Sequence, residues 1–236
     1  AHPSELAAAI VRGGFEYQGQ KCSAASRAYI PVSLWGETKK QILQMIAEIK
    51  MGDVMDFRNS VNAVIDEGAF EKIMSYFEKA KSSHEVEIIA GGKGDKTKGY
   101  FIMPTIMITK DPHFVTMEEE IFGPVVSIFI YADNKYTETL KLCDETSPYA
   151  LTGSIFSNDR YATLEAWRIL RYSAGNFYMN DKPTGAMVGQ QPFGGSRSSG
   201  TNDKAGSHLN LLRWVSPRTI KETLIPATGF HFPFMD

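Results

Sequence analysis

The sequence predicts an α/β domain in which a largely parallel, open sheet is flanked by helices. Short segments rich in β-branched residues alternate along the chain with longer segments of helical period, as in domains built on parallel strands. The 236 residues are enough to bury a core of this kind. No internal repeat interrupts the alternation, so one globular arrangement is expected for most of the chain.

Each predicted helix has one apolar face. In the first, Leu6, Ile10 and Phe15 recur at roughly helical spacing after an entry at Pro3. The other predicted helices cover residues 34–49, 66–81, 136–145 and 161–171. We expect these apolar faces to pack against the sheet.

The predicted strands are short and bounded by turn residues. They cover residues 28–32, 86–90, 101–108, 125–131, 151–156, 176–180 and 218–224. Pro104 interrupts the third strand and predicts a bend or a sheet edge there. The last strand is predicted to pair with a second subunit. We therefore divide the chain into a catalytic domain, residues 1–215, and an oligomerisation strand with a C-terminal tail, residues 216–236.

Composition and charge exclude several classes of protein. The net charge is −2 with both signs interspersed, which gives neither a nucleic-acid-binding face nor a polybasic membrane patch. No apolar run approaches the roughly 20 residues needed to span a bilayer. Two cysteines do not make a disulfide framework and predict a reducing compartment. Ala1 is not a natural start, so the chain is expected to be part of a longer protein.

Cys22 stands in the turn Gly19-Gln20-Lys21-Cys22, between a predicted helix and a predicted strand. The thiolate is the reactive form of cysteine, and a neighbouring cation such as Lys21 favours it. A nucleophile is one interpretation, and a small buried hydrophobic side chain is the other. The local pattern alone favours the second. For Cys143, within the helical segment ETLKLCDET, a core position is expected.

Two further stretches carry polar or flexible features. In EEEIFGPV, a carboxylate could accept hydrogen bonds from a ribose diol, and an aromatic ring could lie against a flat heterocycle. In TGA and QQPFGGSR, small residues let backbone N–H groups approach an anionic ligand. A solvated acidic turn and a mobile surface loop are the alternatives, and neither stretch decides between them alone.

The order of these motifs is more specific than any one of them. GQKCSAASR, EEIFGPV, NFYMNDKPTG and QQPFGGSRSSG together resemble the catalytic half of the aldehyde dehydrogenase superfamily. The phrases FEYQGQKCSA, GNFYMNDK, VGQQPFGG and SGTNDKAG resemble its Δ1-pyrroline-5-carboxylate dehydrogenase subfamily. The resemblance covers residues 15–223.

The resemblance implies a role for each matching residue. Cys22 would be the nucleophile, Glu120 would bind the nicotinamide ribose of NAD, and Phe122 would pack near the nicotinamide. The substrate carboxylate would be held by Ser23 and by the backbone N–H groups of Gly185 and Ala186. Lys21 would add positive charge near that carboxylate, and Phe193 would flank the aliphatic chain of the substrate. No metal is implied.

The resemblance also implies a reaction and an assembly. The cysteine would attack the aldehyde of L-glutamate γ-semialdehyde, lose a hydride to NAD⁺ to become a thioester, and release glutamate to water. A homodimer or higher homo-oligomer is implied, in the mitochondrial matrix of eukaryotes or the cytoplasm of bacteria.

One departure from the family limits these expectations. In the family, an NAD-binding domain precedes the catalytic domain and supplies the general-base Glu and an oxyanion-binding Asn. That domain is absent from this chain, so the chain alone is expected not to turn over.

Two other classes of function compete with the dehydrogenase. The chain could be a folding or oligomerisation module acting through its late strand, or a thiol esterase or acyltransferase that uses Cys22 without a cofactor. The dehydrogenase hypothesis depends on the Cys22 thiol lining a cleft beside the Pro-Thr-Gly and Phe-Gly-Gly loops.

Overall fold

Helices and strands alternate through the first four fifths of the computed structural model, which describes residues 1–235. The helices are α1 (Pro3–Phe15), α2 (Val32–Glu48), α3 (Glu67–Lys81), α4 (Val115–Glu118), α5 (Tyr136–Glu145), α6 (Arg160–Ile169) and α7 (His208–Leu211). The strands are β1 (Arg27–Pro31), β2 (Val86–Ala90), β3 (Gly94–Asp95), β4 (Phe101–Ile102), β5 (Thr105–Thr109), β6 (Val125–Tyr131), β7 (Tyr149–Ala150), β8 (Thr152–Ile155), β9 (Asn176–Met179) and β10 (Ser196–Arg197).

The central sheet has four strands in the order β1-β6-β5-β2. β6 runs parallel to β1 and to β5, with Ser127 opposite both Arg27 and Met107. β2 is antiparallel to β5 and forms one edge. A separate parallel pair joins β8 to β9. The largely parallel sheet predicted from the sequence is therefore confirmed, with β2 as an antiparallel edge strand.

The sheet is covered on both faces. Along β5 and β6 the side chains alternate, so that Ile106 and Val126 pack with α1 and α2, whereas Met107 and Val125 pack with α3. Near-continuous apolar runs of this kind are typical of strands buried on both sides. A third, smaller cluster joins α5 to α6.

Local sequence signals explain several element boundaries. Asp66 caps α3 because its carboxylate accepts a hydrogen bond from the Ala69 backbone N–H at 2.7 Å. Pro104 divides the predicted strand 101–108 into β4 and β5, since proline cannot donate to a strand ladder. Cys143 packs, partly buried, against the cluster of α5 and α6, in agreement with its predicted core position, and it also borders the cleft described below.

The C-terminal region departs from the prediction. Within the described residues, no strand is formed beyond Arg197, so residues 218–224 are not a strand in the single chain, and their pairing with a second subunit stays a prediction. Residues 216–235 are exposed throughout. A strand needs the hydrogen bonds of a neighbouring strand, and an exposed segment has none within its own subunit. Among residues 1–235, no helix has both the length and the apolar character needed to cross a bilayer.

A backbone contact joins the turn after α1 to the loop before β6. Gly19 has a φ of 63°, and a Cβ placed on it would lie 2.2 Å from the carbonyl oxygen of Gly123. The same Cβ would lie 2.8 Å from the Gly14 carbonyl oxygen. Only glycine fits this position, because both the conformation and the space exclude a side chain.

We predict that Gly19→Ala lowers the free energy of unfolding by about 3 kcal/mol, through backbone strain and the clash with two carbonyl groups. Gly36→Ala is the matched control, since a Cβ there meets open space on α2. It should raise the stability by about 0.5–1 kcal/mol through helix propensity. Urea denaturation of the three chains measures both values. Equal effects at the two glycines would show that the turn can move away from Gly123.

Candidate active site

A cleft of about 530 Å³ brings together residues that lie far apart in the sequence. Cys22 and Lys21 line it from the turn after α1, and Glu120 and Phe122 line it from the loop before β6. Pro183 contributes from the loop after β9. The cleft therefore contains the cysteine, the acidic loop and the start of the Pro-Thr-Gly loop that the sequence singled out.

The Cys22 thiol lies on a strained turn and faces solvent. Before it, Tyr17, Gln18 and Gly19 all have positive φ, at 54°, 56° and 63°. Non-glycine residues adopt this conformation only where the surrounding structure imposes it, and such strain is concentrated at functional sites. Cys22 is exposed. The interpretation of Cys22 as a small buried hydrophobic residue is therefore wrong.

The two thiols have opposite environments. Burial raises the pKa of the Cys143 thiol, and the nearby Arg27 opposes this only in part. A neutral, half-buried thiol on α5 is suited to packing rather than to attack on a carbonyl group. The chemistry of the cleft consequently depends on Cys22.

In the loop before β6, one acidic and one aromatic side chain point outward on either side of a buried residue. Ile121 is buried against α3, whereas Glu120 and Phe122 on either side of it are exposed. Phe122 has a φ of 62°, which is unusual for an aromatic residue. The Glu120 carboxylate and the Phe122 ring both line this cleft. A carboxylate fits a ribose diol, and an aromatic ring fits a flat heterocycle.

The positions of these loops follow from the sheet. β1 and β6 are parallel neighbours, and the cysteine turn and the acidic loop each precede one of these strands. Both loops therefore emerge at the amino ends of the strands. Ligand sites of open parallel sheets usually lie at the carboxyl ends, so the sheet alone would have placed this cleft at the wrong edge.

Ser23 links the cysteine turn to the loop after β9. Its hydroxyl lies 2.9 Å from the Thr184 hydroxyl, and both side chains are buried. This hydrogen bond ties Thr184, and with it Gly185 and Ala186, to the residue beside Cys22. Gly185 is exposed with a φ of 95°, a conformation that glycine adopts without strain.

A charged triad lies beside this link. The ammonium groups of Lys21 and Lys182 approach the same Glu16 carboxylate oxygen, at 3.3 Å and 2.8 Å. Burial acts to raise the pKa of Glu16, but the hydrogen bonds and positive charges of Lys182 and Lys21 outweigh it and lower the pKa. Glu16 is therefore ionised at neutral pH, and the triad has a net charge of +1.

Glu16 and Lys182 were not predicted from the sequence. Lys182 Nζ also lies 3.5 Å from the carbonyl oxygen of Thr184, under the Thr184-Gly185 turn. Lys21, which was expected to provide positive charge near a bound carboxylate, is one member of this shared triad, and its role toward a ligand stays a prediction. The only signal for Lys182 in the sequence was its place in the NDKPTG motif.

Phe193 lies outside the cleft. Its backbone pairs with Ala205, with both N–H to carbonyl distances at 2.8 Å, and its neighbours Gln191 and Pro192 line a different cavity of about 780 Å³. Among the described residues, those lining the thiol cleft do not include Phe193, Gly185 or Ala186. Ser23 and Thr184 are buried and do not line the cleft either, so the cleft adjoins the Pro-Thr-Gly loop through Pro183. Contact between Phe193 and the substrate stays a prediction.

Known proteins are similar to this chain in sequence and in fold. The profile of the aldehyde dehydrogenase family matches residues 1–220. The mitochondrial Δ1-pyrroline-5-carboxylate dehydrogenase of Dictyostelium discoideum is 62% identical over 225 residues, which are 95% of this chain and 40% of that protein. The enzyme of the same name from Homo sapiens is 50% identical over 236 residues, covering 100% of this chain and 42% of that protein.

Solved structures agree with the sequence comparisons. The Δ-pyrroline-5-carboxylate dehydrogenase of Mycobacterium tuberculosis bound with NAD superposes with a TM-score of 0.88 at 49% identity, covering 100% of this chain and 43% of that one. The Thermus 1-pyrroline-5-carboxylate dehydrogenase with bound NAD gives a TM-score of 0.81 at 36% identity, covering 90% and 40%. This chain spans about two fifths of the length of these relatives. With a family profile and a shared fold across nearly all of its residues, the chain belongs to the aldehyde dehydrogenase family.

Proposed function

We propose that this chain is the nucleophile-bearing part of an NAD-dependent dehydrogenase that oxidises L-glutamate γ-semialdehyde to L-glutamate. The observation that supports it best is the exposed Cys22 thiol in one cleft with Glu120 and Phe122. Relatives that match nearly the whole chain are named Δ1-pyrroline-5-carboxylate dehydrogenases, and the semialdehyde is the open form of that cyclic imine.

Cys22 performs the covalent chemistry in this proposal. Its thiolate attacks the aldehyde carbon, and the Cys22 backbone N–H donates to the oxygen that becomes negatively charged. Loss of hydride from the adduct leaves a thioester on Cys22, and water then releases glutamate and restores the thiol. NAD⁺, when bound, supplies the acceptor for the hydride.

The residues that would hold the cofactor are Glu120 and Phe122. The Glu120 carboxylate would accept hydrogen bonds from the hydroxyls of the nicotinamide ribose, and Phe122 would lie against the ring. Their exposure on the thiol side of the loop supports this assignment, since both side chains face the same cleft as Cys22.

The far end of the substrate carries an α-carboxylate, which suits the surroundings of Ser23. The Ser23 hydroxyl and the backbone N–H groups of Gly185 and Ala186 would donate to it. The triad of Glu16, Lys21 and Lys182 adds a net positive charge beside this position. We propose that this charge favours an anionic aldehyde over an uncharged one.

We predict that Cys22 is the thiol that reacts first. Iodoacetamide at neutral pH should add one label to the native chain, because Cys22 is exposed while burial raises the pKa of Cys143. A second label should appear only after unfolding in urea. Intact-mass measurement follows both steps.

Two variants separate the thiols in this experiment. Cys22→Ser should abolish labelling of the native chain, and Cys143→Ser should leave it unchanged. If the native Cys22→Ser chain were still labelled, Cys22 would not be the reactive thiol and its assignment as the nucleophile would be wrong.

We predict that the 236-residue chain alone does not reduce NAD⁺. The family resemblance implies that the general base and the second oxyanion donor lie in a domain that precedes this segment, and this chain covers about two fifths of the length of its relatives. The Dictyostelium enzyme with its matched segment replaced by this chain should reduce NAD⁺ with glutamate semialdehyde. Absorbance of NADH measures both reactions. Turnover by the chain alone would contradict the division of the active site.

The role of the triad is checked in the same chimera. Lys182→Met should raise KM for glutamate semialdehyde roughly tenfold, as loss of a charge-assisted contact does, and leave KM for butanal unchanged. An equal rise for both aldehydes would show that Lys182 has only a structural role.

Hydrolysis of a p-nitrophenyl ester without NAD⁺, in the absence of any dehydrogenase activity, would support the cofactor-free esterase instead.

We also propose that residues 216–236 join two copies of the chain. Large apolar side chains are exposed along this segment, namely Ile220, Leu224, Ile225, Phe230, Phe232 and Phe234. Exposed apolar residues in such number are typical of an interaction surface. A strand at 218–224 would form only when a second subunit supplies an edge to pair with.

Sedimentation velocity tests this proposal. We expect the chain to form a dimer or higher oligomer and a truncated chain, residues 1–215, to be monomeric. Alkylation of Cys22 should proceed equally in both, because no residue of the segment lines the described cleft. A truncated chain that still associates would refute the assignment of this segment.

The compartment is inferred from the relatives. The Dictyostelium and human proteins are named mitochondrial. We propose the mitochondrial matrix for this chain in a eukaryote and the cytoplasm in a bacterium, which cell fractionation followed by immunoblotting decides.

A further inference from the structure

Helix α3 contacts the acidic loop before β6 through three residues, the exposed Lys72 and the buried Ile73 and Tyr76. Lys72 Nζ lies 2.8 Å from the backbone carbonyl oxygen of Glu120, and the Tyr76 hydroxyl lies 2.5 Å from Glu119 Oε2. Ile73 lies between them in sequence and is buried beneath Gly123, where a Cβ would come within 2.4 Å of its Cδ1. One face of one helix thus holds the loop at three points.

The three carboxylates of this loop have different partners. Glu118 pairs with His113 at 2.8 Å, and Glu119 accepts the hydrogen bond from Tyr76. For Glu120, the hydrogen bonds and ion pairs within residues 1–235 involve its backbone carbonyl and leave its carboxylate free. The carboxylates of Glu118 and Glu119 are therefore bound to other side chains of the protein, whereas that of Glu120 is available to a ligand.

Tyr76 is well placed to hold Glu119 through the hydrogen bond that its hydroxyl donates. Its side chain is only 5% exposed. Burial, together with the hydrogen bond to Glu119, raises the pKa of Tyr76 to about 12, so the hydroxyl remains protonated and donates. Hydrogen bonds to an ionised acceptor are the strong ones in proteins.

The loop needs such an anchor because its own structure is weak. The helix before it, α4, has four residues, and Phe122 after Glu120 has a positive φ. Short helices and strained residues do not hold a conformation unaided. If Glu119 were released, the adjacent Glu120 would lose its fixed direction.

We propose that Tyr76 is a positioning residue that holds Glu119, so that the neighbouring Glu120 carboxylate is kept in the cleft and ready to bind the ribose of the cofactor. The inference rests on the proposed function, because Glu120 meets a ribose only in a dehydrogenase. It adds a residue of α3 that itself touches neither cofactor nor substrate.

The first test measures the loop in the chain as it is, without cofactor. In Tyr76→Phe, hydrogen exchange of the Glu119 amide, which donates to the Val115 carbonyl at 3.0 Å, should accelerate about tenfold through loss of a charge-assisted hydrogen bond. Glu119→Ala should have the same effect without altering the core, and Glu119→Gln, whose amide oxygen still accepts from Tyr76, should largely restore protection. Tyr161→Phe is the matched control, since this tyrosine is 86% exposed on α6.

The second test measures catalysis in the Dictyostelium chimera. Tyr76→Phe should raise KM for NAD⁺ about tenfold while KM for the aldehyde stays unchanged, because only the cofactor loop is loosened. Glu119→Gln should remain near the parent value.

The two tests separate failure of the inference from failure of the proposed function. Unchanged exchange in both Tyr76→Phe and Glu119→Ala would overturn the role of Tyr76, whatever the activity. A chimera that shows no dehydrogenase activity at all would overturn the proposed function, while the exchange data still report on the loop. An equal rise of both KM values would reduce Tyr76 to a general structural residue.

Discussion

The close approach of two backbone segments at Gly19 and Gly123 is the constraint on which the cleft depends. No side chain fits between them, since a Cβ on Gly19 would lie 2.2 Å from the Gly123 carbonyl oxygen. This contact fixes the turn that bears Cys22 against the loop that bears Glu120 and Phe122. The Cys22 thiol and the Glu120 carboxylate are brought to one cleft by main-chain atoms, so their relative position does not depend on flexible side chains.

Glycine is required at both members of this contact for different reasons. Gly19 needs a positive φ, and Gly123 needs space, because Ile73 of α3 occupies the position where its Cβ would be. Helix α3 therefore determines how closely the acidic loop packs against it, and the acidic loop in turn determines the position of the cysteine turn. A helix far from the thiol in sequence thus contributes to its placement, through packing that tolerates little change in volume.

The helices and strands could be read from the sequence, while the side-chain partners could not. Periodicity located α3 and β6 closely, and Pro104 marked the break between two strands, because these features depend on neighbouring residues. The contacts of Tyr76 with Glu119 and of Lys182 with Glu16 join residues 43 and 166 positions apart, and no local pattern records them. The segment 218–224 is not a strand in the single chain, which shows that strand propensity alone does not form one without a neighbouring strand to pair with.

The proposed anion site around Ser23 would use no isolated positive charge. A single lysine at the cleft would be neutralised by any nearby carboxylate and would fix no geometry. Here one carboxylate, Glu16, is shared by two lysines, so the group retains one positive charge while each side chain is held by an ion pair. The same Lys182 approaches the Thr184 carbonyl, and Thr184 in turn is hydrogen-bonded to Ser23. Charge and geometry are therefore coupled, because the residue that supplies the net charge also supports the loop whose backbone N–H groups would receive the carboxylate.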